Sequence, residues 1–368
     1  MSCGWPYRYW PYARNLDPGT GWDTSAQELA SAIRGGSTRA LARGMSWMEA
    51  GGPRAEALLE KLYAGTSWAH VVGVTGIAGA GKSTLAAELA KEARRRGLTV
   101  GILAVDPSSP FTGGAILGDR IRMSDLFDDA GVYIRSMAAR GELGGLSQAA
   151  AGAIDLLRAA GKQLIVVETV GVGQDEVDIM RVAHTTVLVN VPGLGDDVQT
   201  MKAGLFEIAD IQVVNKADRE GAGETISQIR AMLALNAGHM NAHHMNARHV
   251  DAHHIRASRV DESHSDESHG AGWQVPVLAA VALKGEGVAP LLDAIASHAA
   301  HLRESGELVA RERLMAEARV LKLAQAMLAE TLRRPAAETA SNVDLDRVAR
   351  RELSPYACAR TLLDRTRA

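Results

Sequence analysis

The segment Gly76-Ile77-Ala78-Gly79-Ala80-Gly81-Lys82-Ser83-Thr84 satisfies GxxxxGK[ST]; the run Val71–Thr75 before it reads as a strand and the residues after it as a helix. Glycines here let successive backbone N–H groups curl round a phosphate, and the helix that follows turns its positive end toward the same anion. Lys82 is spaced to reach the β- and γ-phosphates, and Ser83 to offer its hydroxyl to Mg2+. Three acids fall where strand ends or loops would present them to that nucleotide: Asp106 in AVDPSSP, Asp119 in ILGDRIRM and Glu168 in LIVVETVG. Mg2+ takes only one or two carboxylates beside phosphate and water, so direct and water-mediated roles are both open to them. Gly171 is spaced to bring its N–H to a γ-phosphate.

Asn215-Lys216-Ala217-Asp218 closes a later apolar run and selects the base. A carboxylate only accepts hydrogen bonds, so Asp218 suits the N1–H and exocyclic amine of guanine, whereas adenine presents an acceptor at N1. Leaving a buried charged group unpaired costs about 1–3 kcal/mol or more. The Lys216 stem can lie over the ring.

These motifs need a scaffold. Between Ala69 and about His301, apolar runs alternate with amphipathic helical stretches: Val71–Thr75, Thr99–Val105, Leu164–Thr169, Thr186–Val191, Ile211–Asn215 and Val275–Val281. The pattern predicts an α/β fold, a P-loop NTPase with a mostly parallel sheet covered by helices on both faces. Ligands of such sheets gather at the strands' carboxyl ends. Residues 24–68 read as a helical module broken at Gly35-Gly36 and Gly51-Gly52-Pro53, 69–303 as the nucleotide domain, and 304–368 as a helical arm. Residues 1–23 hold six of the fifteen aromatic residues without periodicity and read as a tail outside the core.

An insertion at 236–272 carries six pentapeptides in unbroken register, from HMNAH at His239 to HSDES ending at Ser268. A period of five matches neither helix nor strand, so a mobile surface insertion is expected. Were the segment helical, His239 and His243 would share a face, as would His249 and His253.

Composition excludes several classes. Forty Lys+Arg against 43 Asp+Glu leave no basic footprint for nucleic acid. The two cysteines, Cys3 and Cys358, form neither a disulfide framework nor a metal motif. No apolar run reaches the ~18–20 residues of a membrane span, so a cytoplasmic protein without membrane partners is expected.

With these blocks in place the chain resembles the MeaB/ArgK family, relatives of the methylmalonic aciduria type A protein, in the P-loop GTPase group with glutamate in the Walker B motif. The likeness runs from about Gly36 to Leu363 through RALARGMSWME, GIAGAGKSTL, LAVDPSSPFTGGAILGDRIRM, YIRSMAARGELGGLS, VETVGVGQDEVDI, PGLGDDVQTMKAG, NKAD and SPYACARTLL. It implies a GTP-hydrolysing chaperone that gates or protects an adenosylcobalamin-dependent acyl-CoA mutase, usually methylmalonyl-CoA mutase, with Mg2+ and GTP/GDP as cofactors. By that resemblance Lys82 holds phosphate, and Ser83, Asp106, Asp119 and Glu168 form the Mg2+ and switch constellation. Val191 to Lys202 resemble a further switch segment, with Lys202 the residue a bound mutase would bring toward the nucleotide. The helical arm implies a homodimer. Where the family usually reads Ser-Ala-Leu beside the guanine oxygen, this chain has Val281-Ala282-Leu283, which lacks the hydroxyl and leaves backbone N–H groups to serve.

Slow hydrolysis raised by the partner is the expected activity. The alternative is a nickel or cobalt metallochaperone GTPase using the histidine repeat. A kinase acting on a transport protein would need an acceptor-positioning base that the sequence does not display.

Overall fold

The computed structural model describes residues 25–64, 66–107, 123–139, 148–169, 179–193, 206, 208–243, 272–333 and 346–367. Three helices lead, α1 (Ala26–Arg34), α2 (Thr38–Ala50) and α3 (Pro53–Tyr63). Ser25 caps α1 reciprocally with Glu28: the Ser25 Oγ accepts the Glu28 N–H, and the Glu28 carboxylate accepts the Ser25 N–H. The nucleotide domain follows as β1 (His70–Gly76), α4 (Lys82–Arg95), β2 (Val100–Pro107), β3 (Val132–Ala139), α5 (Gln148–Ala159), β4 (Leu164–Thr169), β5 (Thr185–Asn190) and β6 (Ile211–Val214). Then come α6 (Ala222–His243), β7 (Val277–Ala279), α7 (Val288–Glu304), the arm helix α8 (Glu307–Arg333) and α9 (Pro355–Arg367).

The seven strands form one sheet in the order β3-β2-β4-β1-β5-β6-β7, and every adjacent pair is parallel. β1, β4, β5 and β6 are buried at each position, as expected of apolar strands covered on both sides. One core cluster joins α1, α2, α3 and α5 to the sheet through Met45, Leu58, Leu156 and Val167. The leading helices therefore share a core with the nucleotide domain. A second cluster joins α4 and α7 through Leu85, Leu89, Leu291 and Ile295.

Two expectations need correction. The sheet has a strand, β3, that the apolar-run reading passed over. It lies at the sheet edge, and Val132, Ile134, Arg135 and Ser136 are only partly buried. One of these, Arg135, pairs with Glu49 of α2. The second concerns the repeat, whose first pentapeptide is helical: α6 continues from Ala222 through His243. Once a helix is established each further residue adds one hydrogen bond without a new nucleation cost, so α6 runs on into the repeat. The rest of the repeat and the tail at 1–23 lie outside the described residues.

At the amino ends of the strands, all four histidines outside the repeat and its flank converge. Thr185 Oγ1 lies 2.7 Å from His70 Nε2 and 2.8 Å from His298 Nδ1, and His298 Nε2 lies 3.3 Å from Asp210 Oδ1. A proton on His298 Nε2 facing that carboxylate leaves Nδ1 as acceptor. Thr185 then donates to His298 and accepts from His70. His184 Nδ1 accepts the Val71 N–H at 3.1 Å, and Trp68 stacks on its ring. The Trp273 ring lies against His298 and His301. Arg311 of α8 closes the network with two bonds to Asp210, at 2.7 and 3.0 Å, and one to the His184 carbonyl at 2.6 Å. The root of the arm is thus anchored beneath the sheet. Burial, foremost, lowers the three innermost imidazoles, His70 to about 3, His184 to about 2 and His298 to about 4. Burial also opposes the Asp210 carboxylate, but Arg311 and His298 beside it hold its pKa below the usual value.

Candidate nucleotide site

The parallel strands bring their carboxyl ends to one edge, and there the separated motifs meet. β1 ends at Gly76, and the loop turns into α4 at Gly81, whose φ of 88° places it in the left-handed region. A side chain at Gly81 would also lie 2.5 Å from the Asn215 amide nitrogen. No side chain caps α4, which leaves its first N–H groups for an anion. The Lys82 ammonium donates to the carbonyls of Gly76 at 2.8 Å and Ile77 at 2.9 Å, so its charge lies within the loop.

Ser83 follows on the first turn of α4, and its hydroxyl donates to Glu168 Oε1 at 2.6 Å. Glu168 lies at the carboxyl end of β4, beside β1, in register with Val74. Both side chains are buried. Hydroxyl and carboxylate oxygens are the donors a hard ion such as Mg2+ takes, so this pair fits that ion. Asp106 is placed by its backbone at the carboxyl end of β2, the strand beside β4.

Asn215 ties the two halves of the site together. Its Nδ2 donates to the Ala80 carbonyl at 2.8 Å, and its Oδ1 accepts the Ala282 N–H at 3.0 Å. Lys216, at φ 57°, donates to the Gly79 carbonyl at 2.7 Å. The Ala217 N–H reaches the Ala280 carbonyl at 3.0 Å, holding NKAD against the end of β7. Asp218 is about half exposed, and the Lys284 ammonium lies 3.5 Å from its carboxylate. Sequence reasoning did not single out Lys284.

The segment Val281-Ala282-Leu283 departs from expectation in one respect. Ala282 gives its N–H to Asn215, and Val281 gives its own to the Glu286 carbonyl at 3.0 Å. Two of the three amides expected to face the base are thus committed to holding the loop. Leu283 is exposed. Of the remaining residues singled out by sequence, Asp119, Gly171 and Lys202 lie outside the described residues.

The buried histidine network was missed altogether, because its members are separated by up to 241 positions between His70 and Arg311. The one available signal was that these four histidines stand apart from the repeat.

Sheet order, phosphate loop and carboxyl-end cluster define a P-loop nucleotide-binding protein. A solved structure described as an LAO/AO transport system kinase shares this fold at a TM-score of 0.59 and 26% identity, covering 93% of this chain and 98% of that one. A Pyrococcus horikoshii protein named provisionally as a GTPase is 44% identical over 92% of this chain and 97% of its own length. The GTPase ArgK of Escherichia coli is 42% identical over 53% of this chain and 60% of its own. A Caenorhabditis elegans protein named as a mitochondrial methylmalonic aciduria type A homolog is 34% identical over 53% of each chain. Residues 41–337 match the family described as methylmalonyl-CoA mutase-associated GTPase MeaB, and the chain belongs to that family of GTPases.

Proposed function

We propose that this chain binds GTP with Mg2+ at the carboxyl edge of its sheet, hydrolyses it slowly, and uses the γ-phosphate to gate or protect an adenosylcobalamin-dependent acyl-CoA mutase. The observation that carries the nucleotide half is the double use of the Asn215 amide, which joins the phosphate loop at Ala80 to the base-side loop at Ala282. A ligand with phosphates at one end and a purine at the other would fill both. Mg2+, held by Ser83 and Glu168, would neutralise charge on the phosphates. Lys82 would exchange its two loop carbonyls for phosphate oxygens, and Asp218 would exchange Lys284 for the guanine edge. The mutase half is supported by the family's description and by the name of the nematode relative.

Asp106, Asp119, Gly171 and Lys202 are proposed as further elements of the switch constellation. A cytoplasmic location is proposed, and the arm is proposed to join two copies. Among the described residues no helix is long and apolar enough to cross a membrane.

Calorimetry of the purified chain with GDP and ADP in Mg2+ tests the base assignment, and preference for ADP overturns it. Adding a purified mutase tests the partner: GTP turnover should rise, with label from the γ-phosphate appearing only as inorganic phosphate. Label transferred to protein would instead indicate a kinase. One observation favours the metallochaperone alternative: α6 runs through His243, placing His239 and His243 one helical turn apart. Equilibrium dialysis with Ni2+, with and without residues 239–269, decides whether the repeat takes up metal.

A further inference from the structure

On the sheet face opposite α4, a cavity of about 630 Å3 opens between the leading helices, α5 and the arm helix α8. Its volume falls within the roughly 300–1,000 Å3 typical of small-molecule sites. Met48 and Leu59 form one wall, Ile154 another, and Val309 and Leu323 of the arm a third. Five basic side chains against three acidic ones complete the lining.

One of the acids, Asp155, is held by arginines. Asp155, 4% exposed, lies 2.6 Å from Arg319 and 3.9 Å from Arg158, and Glu312 lies 3.8 Å from His184. The Nε of Arg158 is buried without a hydrogen-bond acceptor among the described residues. Arg313 lines the same cavity from the arm. A buried guanidinium N–H that lacks an acceptor favours an incoming anion, and the aliphatic walls favour a hydrocarbon body. Arg158 also lies 3.4 Å from His184, just before β5, so this cavity is near the sheet's amino edge, away from the phosphate loop.

We propose that the cavity between α3, α5 and the arm helix binds an amphipathic organic anion, a carboxylate with an apolar tail, as a site separate from the nucleotide. The occupant would touch body and arm together, so occupancy would hold the arm at its present angle. This inference stands independently of the nucleotide reading, because its residues and its readout are different.

Isothermal titration of the full chain with sodium decanoate tests it, with decanol and inorganic phosphate as probes lacking the head or the tail. One saturable decanoate site per chain is expected, with decanol weaker by about tenfold and phosphate without measurable heat. Arg313→Gln should weaken decanoate by about tenfold, and Ala318→Phe, which fills the cavity, should abolish binding while the melting temperature stays within a few degrees of wild type. Because Arg313 is exposed, its variant remains informative should Ala318→Phe fold poorly. Absence of saturable heat overturns the proposal, as does equal affinity for decanol. Decanoate binding untouched by Arg313→Gln and by a folded Ala318→Phe places the ligand elsewhere and overturns it as well.

Discussion

Gly81 shows how narrowly one residue can be specified. Its positive φ and the 2.5 Å approach that a side chain there would make to Asn215 both disfavour any residue but glycine. Gly81→Ala should weaken GDP by about 10- to 100-fold, the equivalent of roughly 1–3 kcal/mol of backbone strain. Calorimetry checks this, and wild-type affinity in the variant would refute the geometry. The phosphate loop and NKAD were legible in sequence because their demands are local: turn geometry, one ammonium, one carboxylate. What Asn215 does with its two amide atoms was not legible, because its partners lie 135 positions before it and 67 after it. The same distance hid Lys284, whose approach to Asp218 depends on the 281–286 turn folding back on NKAD.

Apolar runs marked six of the seven strands, including the edge strand β7, with ends displaced by a residue or two. β3 was not, because Arg135 and Ser136 interrupt its apolar run, as an edge position allows. The elements that meet beneath the sheet make a pH prediction. His70, His184 and His298 have folded pKa values near 3, 2 and 4 against the ordinary 6.5. Around them stand Asp210, Arg311, Arg303, Arg158, Glu307 and Glu312. Above about pH 6.5 folded and unfolded chains both carry these imidazoles neutral. As pH falls below that value, the unfolded chain takes up protons that the folded chain refuses, so stability falls until the folded values are reached. Each histidine contributes a slope of about 1.4 kcal/mol per pH unit within that window. Urea unfolding between pH 6 and 5 should therefore show a steep loss of stability, and His298→Gln should flatten it by about one proton. An unchanged slope would mean His298 is already charged in the folded chain.

At the scale of the molecule, the arm is held by an ion pair at its root. Arg311 and Asp210 are both nearly buried, so removing one partner strands the other's charge. Arg311→Met should destabilise the chain by about 3–5 kcal/mol in denaturant titration, while GDP affinity of the folded fraction stays within twofold of wild type. Loss of GDP binding in folded protein would show that the sheet's two edges are coupled. Changes in periodicity suggested leading helices, a nucleotide domain and an arm as separate stretches, but they did not reveal that α1, α2 and α3 complete the core beneath β2 and β4; that arrangement depends on contacts such as Leu156 with the 44–58 region.

The shared amide of Asn215 has a thermodynamic consequence for half-ligands. Guanosine should order the turn at Ala282, and through one side chain this favours the conformation of the loop at Ala80 that grips pyrophosphate. Linkage is reciprocal, so guanosine should tighten pyrophosphate by the same factor that pyrophosphate tightens guanosine. Asn215→Ala should reduce that factor to one, leaving two fragments that ignore each other in a competition titration.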